Sequence, residues 1–172
     1  PQSAFRLISI GRLDSYKRVD WLIESLTAAQ ELLPPDGPSL QLDVVGDGPD
    51  RASLERLAIR LAPGRVCFHG RLDEGAKQAL LARADLLVLA ANRCNEAFGI
   101  VQLEAMAYAV PALAFEHPRS GMAWVSRTEA LPWDGRLASL PGLIARLASD
   151  PLLLQRARSA ALQRYQHQFS RA

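Results

Sequence analysis

Short apolar segments alternate with longer stretches of helical periodicity along most of the chain, and this alternation restricts the fold more than any other feature. Residues 5–10 (FRLISI), 40–45 (LQLDVV), 66–69 (VCFH), 86–89 (LLVL) and 112–115 (ALAF) read as strands. Between them Val19, Leu22, Ile23 and Leu26 recur at helical spacing, as do Leu54, Leu57, Ala58 and Leu61. The breaker clusters Pro34-Pro35-Asp36-Gly37-Pro38 and Pro63-Gly64 end those two helices. Further helices are predicted over about 74–84, 137–147 and 151–168, the last with a proline in its first turn. The LLVL run is apolar at every position, as a strand covered on both faces must be. Strands alternating with helices require right-handed crossovers and helices on both faces of the sheet. The predicted class is therefore α/β, Rossmann-like, with three αβα layers and a mostly parallel sheet. Residues 116–132 are less regular; a sixth short strand near 123–125 would bring the sheet to about six strands.

In such a sheet, ligands bind outside the carboxyl ends of the strands. Those ends are followed by the loops 11–18, 46–50, 70–73 and 92–99, and the residues with chemical potential fall in them. Gly46-Asp47-Gly48-Pro49 reads as a tight turn, with Asp47 or Asp50 capping the next helix. It is not a dinucleotide fingerprint, because no third glycine follows at the required distance. A generic NAD-binding module is accordingly the least favoured reading.

The stretch around which the rest is organised is 95–114, NEAFGIVQLEAMAYAVPALA. A loop bearing Glu96 passes through Phe98-Gly99 into a helix starting at Ile100, and Pro111 follows the helix. Ile100, Val101, Leu103, Ala105, Met106 and Ala107 make this helix apolar on nearly all sides, so it is expected to be buried. Glu104 lies within it. A buried carboxylate left unpaired costs several kcal/mol, so Glu104 needs a strong partner. The free N–H groups of Phe98, Gly99, Ile100 and Val101, with the helix dipole, form an anion site suited to phosphate. The simpler alternatives are a Glu96 that only complements the dipole, worth about 0.3–1 kcal/mol, and a Glu104 that faces solvent.

The spacing Glu96-x7-Glu104, with Phe98-Gly99 between and Glu104-Ala105-Met106-Ala107 at its close, resembles the E-x7-E signature of retaining nucleotide-sugar glycosyltransferases. That group, of the glycosyltransferase family 4 type, has the GT-B fold of two Rossmann-like domains. The resemblance implies that the amides at Phe98–Val101 hold the donor diphosphate and Glu104 binds the ribose hydroxyls. It implies that Glu96 reaches the transferred sugar. Gly11-Arg12-Leu13 with Lys17-Arg18 resembles the family's Gly-Arg-Leu-x3-Lys, whose Arg and Lys neutralise the diphosphate and the departing nucleotide. Phe68-His69-Gly70-Arg71 is similar to a segment whose main chain meets the nucleobase, which assigns Arg71 a backbone role. The implied catalytic residues are Glu96, Arg12 and Lys17. The implied donor-binding residues are Gly11, Arg12, Lys17, Arg71, Glu96, Phe98, Gly99, Ile100, Val101 and Glu104. Arg18 and Ala109 stand where the family usually has glycine, and Trp124 takes the place of an acid in a shortened Gly-rich loop.

The resemblance spans roughly residues 5–170 and covers only the C-terminal, donor-binding half of a GT-B enzyme. The chain starts at Pro1 and enters a strand pattern by Phe5, as a piece of a longer polypeptide would. The N-terminal acceptor half is then a missing partner, and any peripheral membrane association would run through it. The implied activity is transfer of a hexosyl group to a carbohydrate or lipid-linked acceptor, with retention, and the isolated domain is expected to be inactive. A free-standing donor-binding subunit that needs a separate acceptor subunit is one alternative; a GT-B sugar-nucleotide epimerase is another. No cofactor is expected beyond the nucleotide sugar. No Asp-x-Asp pair occurs, so the ligand set of metal-dependent transferases is missing and no metal is expected.

Composition narrows the setting. A net charge of +2 with scattered Lys and Arg gives no nucleic-acid surface. Cys67 and Cys94 have no metal-type spacing and fit a reduced, cytoplasmic location; a place at the inner membrane face would follow only from the missing half. The apolar runs are far shorter than a membrane span, and no secretory segment is seen. His69 is expected as a core or rim histidine; His117 and His167 lack partners at informative spacing.

Overall fold

The computed structural model describes residues 3–91, 99–117 and 121–170. Five strands, β1 (Ala4–Ile10), β2 (Ser39–Val45), β3 (Val66–Gly70), β4 (Leu86–Leu89) and β5 (Ala112–Ala114), form one parallel sheet in the order β3-β2-β1-β4-β5. The helices are α1 (Val19–Leu32), α2 (Arg51–Leu61), α3 (Glu74–Arg83), α4 (Ile100–Ala107), α5 (Met122–Ser126), α6 (Leu140–Ser149) and α7 (Pro151–Arg164). A π-helical turn, Tyr165–Phe169, extends α7. The chain winds outward from β1 to β3 and then returns to place β4 on the other side of β1. The carboxyl ends of β1 and β4 therefore flank the point where strand order reverses, which is where such sheets open a crevice.

The period of two divides the strand residues between two cores. Leu7, Leu42, Val44, Leu86 and Val88 face the layer of α1, α2 and α6. Ile8, Val45 and Leu87 face the opposite layer, where Leu81 of α3, Ala105 and Met106 of α4, and Ala161 of α7 meet them. Among the described residues no single helix is long and apolar enough to cross a membrane.

The expected sixth strand is replaced by a helix. Residues 123–125 lie in α5, where Met122 and Val125, three apart, are fully buried while Trp124 is half exposed. That is helical spacing, and a strand would have turned Met122 and Val125 to opposite faces. The capping expectation also fails at α2: Asp50 caps nothing with its side chain. Asp47 instead accepts from the Gly48 N–H at 2.8 Å and pairs with Arg51 at 3.1 Å. The side-chain caps fall at Asp73 on α3 and Asp150 on α7. Arg158 of α7 ties the layers together, donating to Asp85 at 2.5 Å and to the carbonyls of Ala84 and Ala109 at 3.3 and 3.2 Å. Asp85 in turn accepts the Arg6 N–H at 2.8 Å.

Two features of the backbone yield direct tests. α4 ends in a Schellman arrangement: the Val110 N–H reaches Ala105 O and the Ala109 N–H reaches Met106 O, each at 3.0 Å. Its left-handed position is Ala109, with φ 58°. A Cβ in that conformation costs about 1–2 kcal/mol, part of which glycine returns as unfolded-state entropy. Ala109→Gly should stabilise the chain by about 0.5–1 kcal/mol, read as a higher urea midpoint at unchanged slope. At the other extreme, a Cβ on Gly46 would stand 1.9 Å from the Gly11 carbonyl oxygen, and Gly46 has φ 127°. Backbone cannot swing aside as a side chain can, so Gly46→Ala should cost about 3 kcal/mol or more in the same measurement.

Candidate functional site

The contact of Gly46 with Gly11 belongs to a wider seam between the first two loops. The Gly11 N–H donates to Val45 O, the Leu13 N–H to Asp47 O, and the Asp50 N–H to Leu13 O, all at 3.0 Å. Gly48 packs against the Leu13 backbone in the same way. The seam fixes the start of the first loop, and a 3-10 turn, Ser15–Lys17, then carries the chain back over the sheet end. Arg18 completes that turn in the left-handed conformation, φ 49°, so the arginine adopts the backbone its glycine counterpart would. Its guanidinium lies 4.0 Å from the Trp21 ring and 2.7 Å from Asp20, contacts that offset the strain.

Gly11, Arg12 and Lys17 line one small cleft together with Ser9, Leu89 and Ala90, at the reversal point between β1 and β4. Lys17 is half buried, and burial pulls its pKa below the usual lysine value, with Asp14 opposing. Its ammonium lies 5.2 Å from the Tyr16 ring. Arg12 is mostly exposed and pairs with Asp14 at 3.0 Å. Tyr16 and Val101 both pack against the cluster of Leu89, Ala91, Ala114 and Met122, so the first loop and the first turn of α4 rest on the same apolar cluster.

That first turn is pressed onto the end of β4. Gly99 is left-handed at φ 59°, and a Cβ there would lie 2.5 Å from Leu89 Cδ2. Among the described residues no side chain caps α4. Glu96 and Phe98, the acid and the aromatic of the motif, lie outside the described residues, as does Cys94.

α4 departs from the expectation of near-complete burial. Gln102, Ala105 and Met106 form its fully buried stripe, while Ile100 is 72 % exposed. The helix thus buries one face, spaced three and four residues apart, and its apolar composition conceals which face that is. Glu104 sits between the extremes, with its side chain 35 % exposed. It does have a strong partner, Lys77 of α3, whose ammonium is 2.9 Å from Oε2. Lys77 also binds Glu74 at 2.9 Å, and the hydrogen bonds to Glu74 and Glu104 hold its pKa above the ordinary value. Sequence reasoning did not identify Lys77. The available signal was Asp73 as a helix cap, which places Lys77 one turn into α3 on the side of the loop 70–73.

Glu104 opens onto a cleft of about 410 Å³ shared with Gln78, Tyr108, Tyr165 and Phe169. This cleft and the Lys17 cleft have no lining residue in common. Glu104 lies four residues beyond Ile100, about 6 Å along the axis of α4. Arg71 is exposed, directly after Gly70, whose carbonyl accepts the Gly46 N–H at 2.8 Å. A third cavity, about 440 Å³, runs beside the free edge of β5 between Glu116, Arg127, Leu131 and Trp133, where the sixth strand was expected. It contains none of Gly11, Arg12, Lys17 and Glu104.

The chain is similar to glycosyltransferases in sequence and in fold. The profile of the family described as Glycosyl transferases group 1 matches residues 1–128. A GDP-mannose-dependent alpha-(1-6)-phosphatidylinositol dimannoside mannosyltransferase of Mycobacterium tuberculosis is 37 % identical over 126 residues, covering 73 % of this chain and 28 % of that protein. The chain spans about a quarter of the length of the first curated relatives it matches. In fold, it is similar to the C-terminal domain of a glycosyl transferase group 1 protein, LpcC, from Francisella tularensis, at TM-score 0.81 and 17 % identity, covering 99 % of this chain and 89 % of that one. It is likewise similar to the pneumococcal O-GlcNAc transferase GtfA, solved with UDP and GlcNAc, at TM-score 0.76 and 20 % identity, covering 96 % of this chain and 33 % of that one. The sequence match over residues 1–128 and the likeness in fold agree, and the chain belongs to the glycosyl transferases group 1 family, with the GT-B type of fold.

Proposed function

We propose that this chain is the donor-binding, C-terminal domain of a retaining hexosyltransferase, and that it grips a nucleoside diphosphate sugar along α4. The observation that carries this reading is that the Arg12–Lys17 loop and the first turn of α4 pack on one apolar cluster at the reversal point of the sheet. The diphosphate would lie against the first-turn amides of α4, with Arg12 and Lys17 neutralising it. A cation about 4 Å from a phosphate oxygen gains about 4 kcal/mol at an effective dielectric near 20. Lys17 is the stronger of the two, because its burial leaves water less able to screen it. One helical turn further, Glu104 offers the ribose hydroxyls its second oxygen, while Lys77 holds the first in place. The backbone after Gly70 would meet the base, and Glu96 the transferred sugar.

Transfer in this reading is leaving-group chemistry. As the bond from the anomeric carbon to the phosphate oxygen breaks, negative charge grows on the diphosphate, where Arg12, Lys17 and the α4 amides already stand. The departing phosphate accepts the acceptor's proton, so no side-chain base and no metal is needed for that step. The acceptor and the second wall of the cleft belong to the N-terminal half of a longer enzyme, so this domain alone binds donor and transfers nothing. Two names support a nucleotide sugar: the pneumococcal neighbour was solved with UDP and GlcNAc, and the mycobacterial relative uses GDP-mannose.

Calorimetric titration with UDP, GDP and ADP tests the reading. One of the three should bind, and Glu104→Ala and Arg12→Ala should each weaken it about tenfold or more. Equal heats for the parent and both variants would sink the proposal. Lys17 supplies a second test through pH. Its pKa is lowered in the free protein, and a bound diphosphate raises it again by favouring the charged form. Affinity should therefore hold while Lys17 is protonated and fall as the pH climbs toward the ordinary lysine value of 10.5. Lys17→Met should bind more weakly, with a flat profile over the same interval; a parent profile equally flat would remove Lys17 from the site.

A further inference from the structure

We propose that Asp43, Cys67 and His69 form a binding site for a divalent cation of the zinc class, separate from the donor-binding residues. Asp43 of β2 and Cys67 of β3 are directly paired in the parallel register. Val44 pairs with Phe68 but Val45 pairs with Gly70, so His69 is the extra residue of a β-bulge. Cys67 and His69, two apart in β3, share the face that carries Asp43. Its Nε2 lies 2.7 Å from Asp43 Oδ1, and one donor atom from each of the three residues lies within 4.8 Å of the others.

The donor set suits zinc in both kind and number. A thiolate, an imidazole and a carboxylate are the ligand types Zn²⁺ takes, and three protein ligands with an open fourth position is a common arrangement. Ligands about 2.0–2.3 Å from a tetrahedral ion stand about 3.3–3.6 Å apart, so the three need shift by only about an ångström or less to close on it. Arg6 approaches the other carboxylate oxygen, Oδ2, at 3.9 Å, which leaves Oδ1 directed at the site. Zn²⁺ with one thiolate and one carboxylate is neutral overall, so no uncompensated charge enters the sheet face. Access is open, because Cys67 is exposed and His69 is half exposed, whereas Asp43 is 9 % exposed. The Asp43–His69 hydrogen bond alone would satisfy the carboxylate, but it gives no reason for a thiol to share the position. Binding converts the thiol to a thiolate and releases its proton to solvent.

Cobalt(II) is the probe, since its thiolate complexes absorb in the near ultraviolet. The Cys94→Ser variant leaves Cys67 as the sole thiol, and titrating it with Co²⁺ should give a thiolate-to-cobalt charge-transfer band that saturates at one equivalent and is abolished by added Zn²⁺. Cys67→Ser in that background should eliminate the band. His69→Ala should weaken Zn²⁺ binding about 100-fold or more, beyond what loss of an outer partner costs. Without metal, the far-ultraviolet circular dichroism and melting temperature of both variants should match those of the Cys94→Ser parent, which reports that they are folded. Absence of a saturable band, its survival in Cys67→Ser, or equal Zn²⁺ affinity in His69→Ala would each overturn the proposal.

Discussion

Main chain packed on main chain between Gly11 and Gly46 fixes the geometry at the carboxyl end of the sheet, because neither strand end can move without the other. With a Cβ at Gly46 excluded by the Gly11 carbonyl, β1 and β2 run in register to their last residues, and the two following loops leave the sheet as a stitched pair. The 3-10 turn that carries Lys17 is built on this seam. The turn is therefore placed by backbone contacts at its base and by Tyr16 packing at its tip. Positioning of this kind matters for an electrostatic site: a charge already in place and partly shielded from water stabilises a developing anion without reorganising.

A second constraint comes from α4. The helix is short, its start is jammed against Leu89, and its end is locked by the Schellman bonds ahead of Pro111. Both ends being fixed, rotation about its axis is set by the buried stripe of Gln102, Ala105 and Met106. Gln102 donates from Nε2 to Met122 O at 2.9 Å, so a buried amide ties α4 to α5. Glu104 then has only one direction available, toward α3. A carboxylate that is one-third exposed and held by a single lysine is oriented without being consumed, which is the state that hydroxyl recognition requires.

The strands and most helices were legible because their signals are local. LLVL at 86–89 matches its predicted limits, and each of the other strands differs by one residue at one end. What sequence did not give depends on contacts between distant segments. Nothing within residues 122–126 distinguishes a short strand from a short helix; the outcome follows from packing Met122 and Val125 against separate cores, with Arg164 of α7 donating to the carbonyls of Trp124 and Val125. The burial of α4 was overestimated for the same reason, since eight apolar-rich residues do not reveal how many neighbours surround them. Lys77 escaped notice because its partner Glu104 is 27 positions away, whereas the pair it makes with Glu74 reads as an ordinary surface contact. Of the residues proposed to bind the donor, Gly11, Arg12, Lys17 and Gly99 fall at one end of the sheet, and Glu96 and Phe98 lie outside the described residues.

The two left-handed residues that are not glycine show how differently one conformational cost can be met. Arg18 and Ala109 carry φ of 49° and 58°, and each stands where the resembling family has glycine. At Arg18 the side chain gives something back, stacking on Trp21 and pairing with Asp20 beside the start of α1. Those contacts are worth about 0.5–2 kcal/mol together, comparable with the cost of the left-handed backbone. Ala109 has no such side chain, and what holds it is its backbone: its N–H closes the end of α4 and its carbonyl receives Arg158. The first position has turned a backbone requirement into a side-chain anchor for the loop that carries Lys17. The second retains a strain that the surrounding hydrogen bonds over-determine, and so remains open to improvement without touching the site.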